Sequence, residues 1–192
     1  MSYFGGRRHI GVFVALVGLM AWAFLATATS AADGIDVITG TVEKVDSGAR
    51  TIAVKTADGT VTTVKFGEKT TVHGLKDAAK ATDLAGKEGG HVIVHTTGEG
   101  AEKTAHSVEW VGDKTVHTTE GTVEDVGRDS KTVAVKTADG TKETFEVADH
   151  ATVNTGKAIA RYSAQGAKKG EHVTVYYTED AGKKVAHVFK HL

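Results

Sequence analysis

The chain repeats itself once, without a gap, at one fixed offset. Gly40-Thr41-Val42-Glu43 returns as Gly121-Thr122-Val123-Glu124, and the run Val54 to Thr60 returns as Val135 to Thr141. His91-Val92 returns as His172-Val173, and Ala105-His106 as Ala186-His187. Every match lies 81 residues on (121 − 40). One register held from the first segment to the last means a duplicated domain rather than a short local motif. The chain is therefore read as a leading segment, 1–31, followed by two repeats, 37–112 and 117–192. The join Gly112-Asp113-Lys114-Thr115 is too short to be a flexible linker, so the repeats are expected to touch.

Each repeat is made of short runs rich in Val and Thr, punctuated by Gly and Asp, a pattern that favours strands over helices. The expected strands of the first repeat are 38–46, 51–57, 60–66, 70–73, 90–97 and 102–111. Those of the second are 119–127, 132–138, 141–147, 151–154, 171–178 and 183–190. Asp58-Gly59 and Asp139-Gly140 sit between alternating runs and read as two-residue hairpin turns, since Asp-Gly supplies the positive φ these need. Alternation puts Ile52 and Val54 on one face and Ala53 and Lys55 on the other. Leu75–Glu88, matched by Gly156–Lys169, is rich in Ala and Lys and has room for a helical turn in the crossover. The predicted fold is all-β: two tandem small OB-like Greek-key barrels. Closure into barrels also removes the edges along which a Val/Thr-rich sheet would aggregate.

The motifs Gly-Thr-Val-x-x-Val, Thr-Ile/Val-x-Val-Lys-Thr-x-Asp-Gly-Thr and His-Val-x-Val occur in both repeats. In these the chain resembles an uncharacterised family of exported bacterial domains built as small OB-like barrels, often in tandem. The resemblance implies the barrel fold and export. It supplies no catalytic residues, because the shared positions are turn glycines and core valines. Where the family has Gly-Asp before the penultimate strand, this chain has Gly89-Gly90 and Gly170-Glu171, a change confined to a turn.

The segment 1–31 has the layout of a signal peptide. Arg7-Arg8 precede an uncharged apolar run, Ile10 to Ala28, and small residues crowd its end at Ala26, Ala28, Ser30 and Ala31. Cleavage after Ala31 is expected, which places the protein in the periplasm or outside the cell. If uncleaved, the same run is long enough to anchor the chain in a membrane. Arg7 and Arg8 are two of the 23 basic residues, so the chain beyond Ala31 carries 21 basic against 24 acidic residues, a net charge of −3. That balance lacks the basic footprint of a nucleic-acid binder, so none is expected as a partner. With no Cys in the chain, thiolate metal ligands and disulfides are excluded.

Histidine is the unusual resource. Beyond Ala31 there are His73, His91, His95, His106, His117, His150, His172, His187 and His191. Two positions recur, His91/His172 and His106/His187, and these four are the candidate metal ligands, since imidazole suits Zn, Ni and Cu. Two His on one strand provide only two ligands where a closed zinc site needs four, so any such binding is expected to be weak. The competing reading makes them polar residues on half-exposed strands, with no resident cofactor. No Gly-x-Ser-x-Gly, phosphate-binding loop or His-Glu-x-x-His is present, and Asp58 and Asp139 are turn formers, so no catalytic residues are assigned. The expectation is a non-enzymatic binding or structural module of the cell envelope, its ligand or protein partner unnamed. The alternatives are a periplasmic metal-binding protein and a carbohydrate or polymer binder using Tyr176 or Tyr177 and Trp110.

Overall fold

The computed structural model describes residues 34–75 and 79–192, which belong to one compact unit. The expected signal segment, 1–31, lies outside the described residues. The first repeat forms β1 (Asp36–Asp46), β2 (Thr51–Lys55), β3 (Val61–His73), β4 (Ala79–Lys80), β5 (His91–Thr97) and β6 (Thr104–Gly112). The second forms β7 (Val116–Val126), β8 (Thr132–Lys136), β9 (Lys142–Asn154), β10 (Ile159–Arg161), β11 (His172–Asp180) and β12 (Lys183–His191).

In the first sheet β1 lies between β2 and β5, β6 follows β5, β3 follows β6, and a β2–β3 pairing closes the ring. The β3–β6 pairing is parallel, while the rest of the ring is antiparallel. The second sheet repeats this with β7 between β8 and β11, a parallel β9–β12 pairing, and closure through β8–β9. Each repeat is thus a closed five-stranded Greek-key barrel of OB-like type, with β4 or β10 added at one edge. The crossover carries a 3₁₀ turn at Ala81–Leu84 in the first repeat and one α-helical turn at Tyr162–Gln165 in the second.

Each barrel has its own core. The first packs Ile52, Val54, Val64, Leu84, Val92, Val94 and Val108; the second packs Val133, Val135, Phe145, Val153, Val173, Val175 and Phe189. A fully buried side chain of this kind contributes roughly 1.5–3 kcal/mol. Glycine is required where the barrel tightens: a Cβ on Gly40 would lie 2.2 Å from the Lys55 carbonyl oxygen, and one on Gly121 2.4 Å from that of Lys136.

Two local expectations are corrected. The third and fourth strands of each repeat are one long strand, β3 or β9, bent at a corner. In β3 the register with β6 slips between Phe66 and Thr71, so the polar stretch Gly67-Glu68-Lys69 is a bulged bend rather than a break. The Asp-Gly hairpins also have three-residue loops. Gly59 N donates to Thr56 O and Thr56 N to Thr60 O, so a turn over Ala57-Asp58 is followed by Gly59 at φ +85°. Gly140 repeats this at φ +87°. Asp58 accepts from Thr60 N at 3.0 Å and from the Thr56 hydroxyl, and Asp139 does the same for its own turn. Those hydrogen bonds hold both carboxyls below the usual carboxylate range.

Candidate functional site

The barrels touch along a seam, and the seam is polar. Strand β5 shows why a seam exists. Val92 and Val94 point into the first core, yet Ile93 between them is also fully buried without belonging to that core. Its neighbour across the β5–β6 pair is Glu109, which is only 9% exposed and lies 3.5 Å from His187 Nδ1 of the second barrel. Strand β5 is therefore covered on both faces, one by its own barrel and one by the other repeat.

The seam uses the same patch of each repeat. Thr71, His73, His95, His106 and Glu109 face it from the first barrel. Their equivalents 81 residues on, Thr152, Asn154, Tyr176, His187 and Lys190, face it from the second. His95 is 2% exposed and sits between two second-repeat side chains. Its Nε2 is 3.1 Å from Thr152 Oγ1 and its Nδ1 is 3.3 Å from Asn154 Nδ2. Asn154 is fully buried, donates also to Ile35 O at 3.1 Å, and accepts from Gly156 N at 2.7 Å. That last bond fixes which way the amide points, so Nδ2 is the donor to His95 Nδ1. The His95 proton therefore resides on Nε2 and is donated to Thr152. Burial, with His106, His73 and Lys190 nearby, pushes the His95 pKa down to about 4.

Around this centre, His73 stacks on His150 with ring centroids 5.5 Å apart. Burial lowers the His73 pKa; Glu109 opposes that, while His150 and Arg161 add to it. Lys190 Nζ bonds Asp36 Oδ1 at 2.6 Å. Burial, the largest single influence, would raise the Asp36 carboxyl; the hydrogen bonds from Lys190 and Val37 N and the charges of Lys190 and Lys103 together outweigh it, so the net shift is downward. Tyr176 is half-buried beside Asp36 and Glu120, and burial first of all pushes its pKa up to about 12. On one side the seam opens as a cleft of about 330 Å³. Its polar lining is Thr71, His73, His106, Ser107, Thr152 and Arg161, and its apolar lining is Ile35, Ile159 and Ala160. Strand pairing sets the frame: Ser107 lies opposite Thr71 in the first barrel, and Arg161 opposite Thr152 in the second.

The four histidines singled out from the sequence are not brought together. Strand β6 does lie beside β5, but His91 pairs with Gly112, while His106 falls at the register slip beside His95 and Thr96. Four residues of strand separate them, on the order of 13 Å. His172 and His187 are kept apart in the same way along β11 and β12. His106 bonds Thr97 Oγ1 at 3.1 Å and His187 bonds Thr178 Oγ1 at 3.0 Å, equivalent contacts in the two repeats. Among the described residues no three His, Asp or Glu side chains are grouped as a metal site. The aromatic side chains of the polymer-binding alternative are also placed otherwise. Tyr177 is core, edge-on to Phe145 at 5.1 Å, and Tyr176 is in the seam. Trp110 packs on its own barrel over Gly90, where a Cβ would meet the indole at 1.8 Å, rather than at the join.

Sequence reasoning missed His73, His95, His150, Asn154 and Arg161 as a group. The available signal was the run Val92-Ile93-Val94, apolar without alternation, as in strands buried on both faces. A second was the opposite charge of Glu109 and Lys190 at equivalent positions, which a seam made from one patch twice over requires.

No family model and no curated protein matches the chain. Among solved structures it is similar to CusF from Escherichia coli in a Cu(II) form, at 13% identity over 40% of this chain and 91% of that one, with a TM-score of 0.31. The Ag(I) form gives 13% over 41% and 94%, with a TM-score of 0.32, and the apo form 13% over 41% and 89%, with a TM-score of 0.31.

Proposed function

We propose that the protein is an exported, non-enzymatic binding module of the cell envelope whose ligand site is the seam between its two barrels. One observation carries the reading: beside the buried Ile93 and Val188, the two filled barrels meet through ionisable and hydroxyl side chains around an open cleft. Paired domains serving stability alone are expected to join through apolar surface, because buried polar groups bring little net stability. Ligand sites, in contrast, favour domain junctions with a few convergent polar groups. The two aspartates nearest to a catalytic look are engaged in their own turns, which supports the non-enzymatic reading. The test is an amide NMR titration of the protein with Zn²⁺, Ni²⁺ and Cu²⁺, small anions and oligosaccharides in turn. Shifts confined to Thr71–His73, His106–Glu109 and Thr152–Asn154 are expected from one class, and shifts elsewhere or from none would remove the proposal.

A second reading, a metal-binding module using strand histidines, is favoured by the imidazoles of His73, His95, His106 and His150 lying along one seam. Equilibrium dialysis against Zn²⁺, Ni²⁺ and Cu²⁺, followed by elemental analysis, addresses it. Loss of bound metal in His73→Ala and His106→Ala, with retention in His117→Ala, would support it, and retention in all three would remove it.

A further inference from the structure

We infer that the cleft between the barrels is an anion site, taking a small oxyanion or carboxylate held by Arg161 with His73, His106 and the hydroxyls of Thr71, Ser107 and Thr152. This rests on the reading of the seam as the ligand site and names the ligand class. Four features of the lining converge on it. First, its permanent charge is positive: Arg161 stays protonated, and its planar fork matches the two oxygens of a carboxylate or phosphate. Second, no carboxylate lines the cleft among the described residues. Of the seam carboxylates outside the lining, Asp36 is paired with Lys190, and Glu109 lies 3.5 Å from His187 Nδ1. Third, the remaining polar groups are hydroxyls and imidazoles, which donate to an oxyanion without reorganising the backbone. Fourth, a divalent cation placed here would face the Arg161 guanidinium that already disfavours positive charge on His73. The stacked His73 and His150 rings, 19° apart, also hold their nitrogen lone pairs in nearly parallel planes, an arrangement unsuited to shared coordination of one ion. The volume, about 330 Å³, admits an ion with a short carbon skeleton, and Ile35, Ile159 and Ala160 give that skeleton an apolar surface.

The chemistry requires proton uptake on binding. His73 faces Glu109 from β6, His150 from β9 and Arg161 from β10; His106 faces His95 from β5. With the cleft empty, burial first, and then His150 and Arg161, oppose a charge on His73, while Glu109 favours it. A bound anion offsets those two charges and favours imidazolium at His73. Affinity therefore rises as pH falls, by at most about tenfold per unit for each proton taken up.

The experiment is calorimetric titration of the full chain with sulfate, inorganic phosphate and succinate. Sulfate keeps its charge through the neutral range, so its pH dependence reports the protein. Sulfate is expected to bind at least about fivefold more tightly near pH 5.5 than near pH 7.5, within the titration range of imidazole. Phosphate and succinate separate the oxyanion from the carboxylate source. Arg161→Gln is expected to weaken binding by about tenfold or more, the loss of one charge-assisted fork. Arg161→Lys should recover part of it, Arg50→Gln should change nothing, and His73→Gln should flatten the pH dependence. Equal weakening by Arg50→Gln and Arg161→Gln would mean general charge attraction and overturn the site. Failure of all three anions at millimolar concentration, while a metal or oligosaccharide still shifts the seam amides, would overturn the anion class and leave the binding-module reading standing. Failure of every class would overturn both.

Discussion

Protonating His95 would turn its Nδ1 into a donor facing the Asn154 amide, itself a donor to that nitrogen and to Ile35 O. Burial and this donor–donor conflict both favour the neutral ring, consistent with a pKa near 4 in place of the ordinary 6.5. The sign follows from linkage. Between these values the unfolded chain binds more protons than the folded one, so stability rises with pH across the window. The contribution is fully present above about pH 6.5 and is lost as pH falls toward 4, with a slope up to about 1.4 kcal/mol per unit and a total of roughly 3 kcal/mol. Urea midpoints measured from neutral pH downward should show this slope, and His95→Gln should reduce it. An unchanged slope in that variant would assign the acid sensitivity to other groups. Asn154→Asp replaces the amide donor with a carboxylate against Nδ1 and should raise the His95 pKa by about 1–3 units. The imidazole resonances in an NMR pH titration give that shift directly, and a His95 that still titrates near 4 would leave burial and the nearby His106, His73 and Lys190 as its causes.

At the scale of elements, what was legible in the sequence was local chemistry repeated twice. Asp58-Gly59 and Asp139-Gly140 marked their hairpins because few residues but glycine occupy φ near +85° without strain. Gly140→Val should therefore cost roughly 1–2 kcal/mol or more by urea denaturation, and Gly59→Val a similar amount. No atoms lie within 4 Å of a Cβ at either position, so the penalty is conformational rather than steric. A cost near zero would mean that the loop can adopt another turn. The bend in β3 was not legible, because a corner bulge carries the polar, Gly-containing signature of a loop while the strand continues past it. The seam strands were not legible for a different reason. Alternation reports which side of a strand faces its own barrel, and says nothing of what covers the other side. His95 and Tyr176 therefore read as surface residues although His95 is buried and Tyr176 half-buried.

For the whole molecule, the question is whether two barrels with separate cores behave as one cooperative unit. Each repeat is small enough that its own core leaves it marginal. The seam adds what neither has alone: Ile93 and Val188, both buried outside the cores, and the His95–Thr152–Asn154 bridge. Outside that seam the repeats are linked by the three residues between Gly112 and Val116 and by the exposed Lys114–Asp180 pair at 2.7 Å, which contributes little. Within the seam the repeats differ at three facing positions, His73 against Asn154, His95 against Tyr176 and Glu109 against Lys190, while Thr71 and Thr152, and His106 and His187, remain the same. A patch that meets its own copy gains from complementarity, and unlike residues at equivalent positions provide it. The prediction is a single coincident unfolding transition by Trp110 fluorescence, which reports the first barrel, and by far-ultraviolet circular dichroism, which reports both. Ile93→Asp introduces an unpaired charge into the seam while leaving both cores intact. It should separate the two signals into distinct transitions, at a cost of several kcal/mol to the joined state. If the two probes stay coincident in Ile93→Asp, the barrels are coupled by something other than the seam.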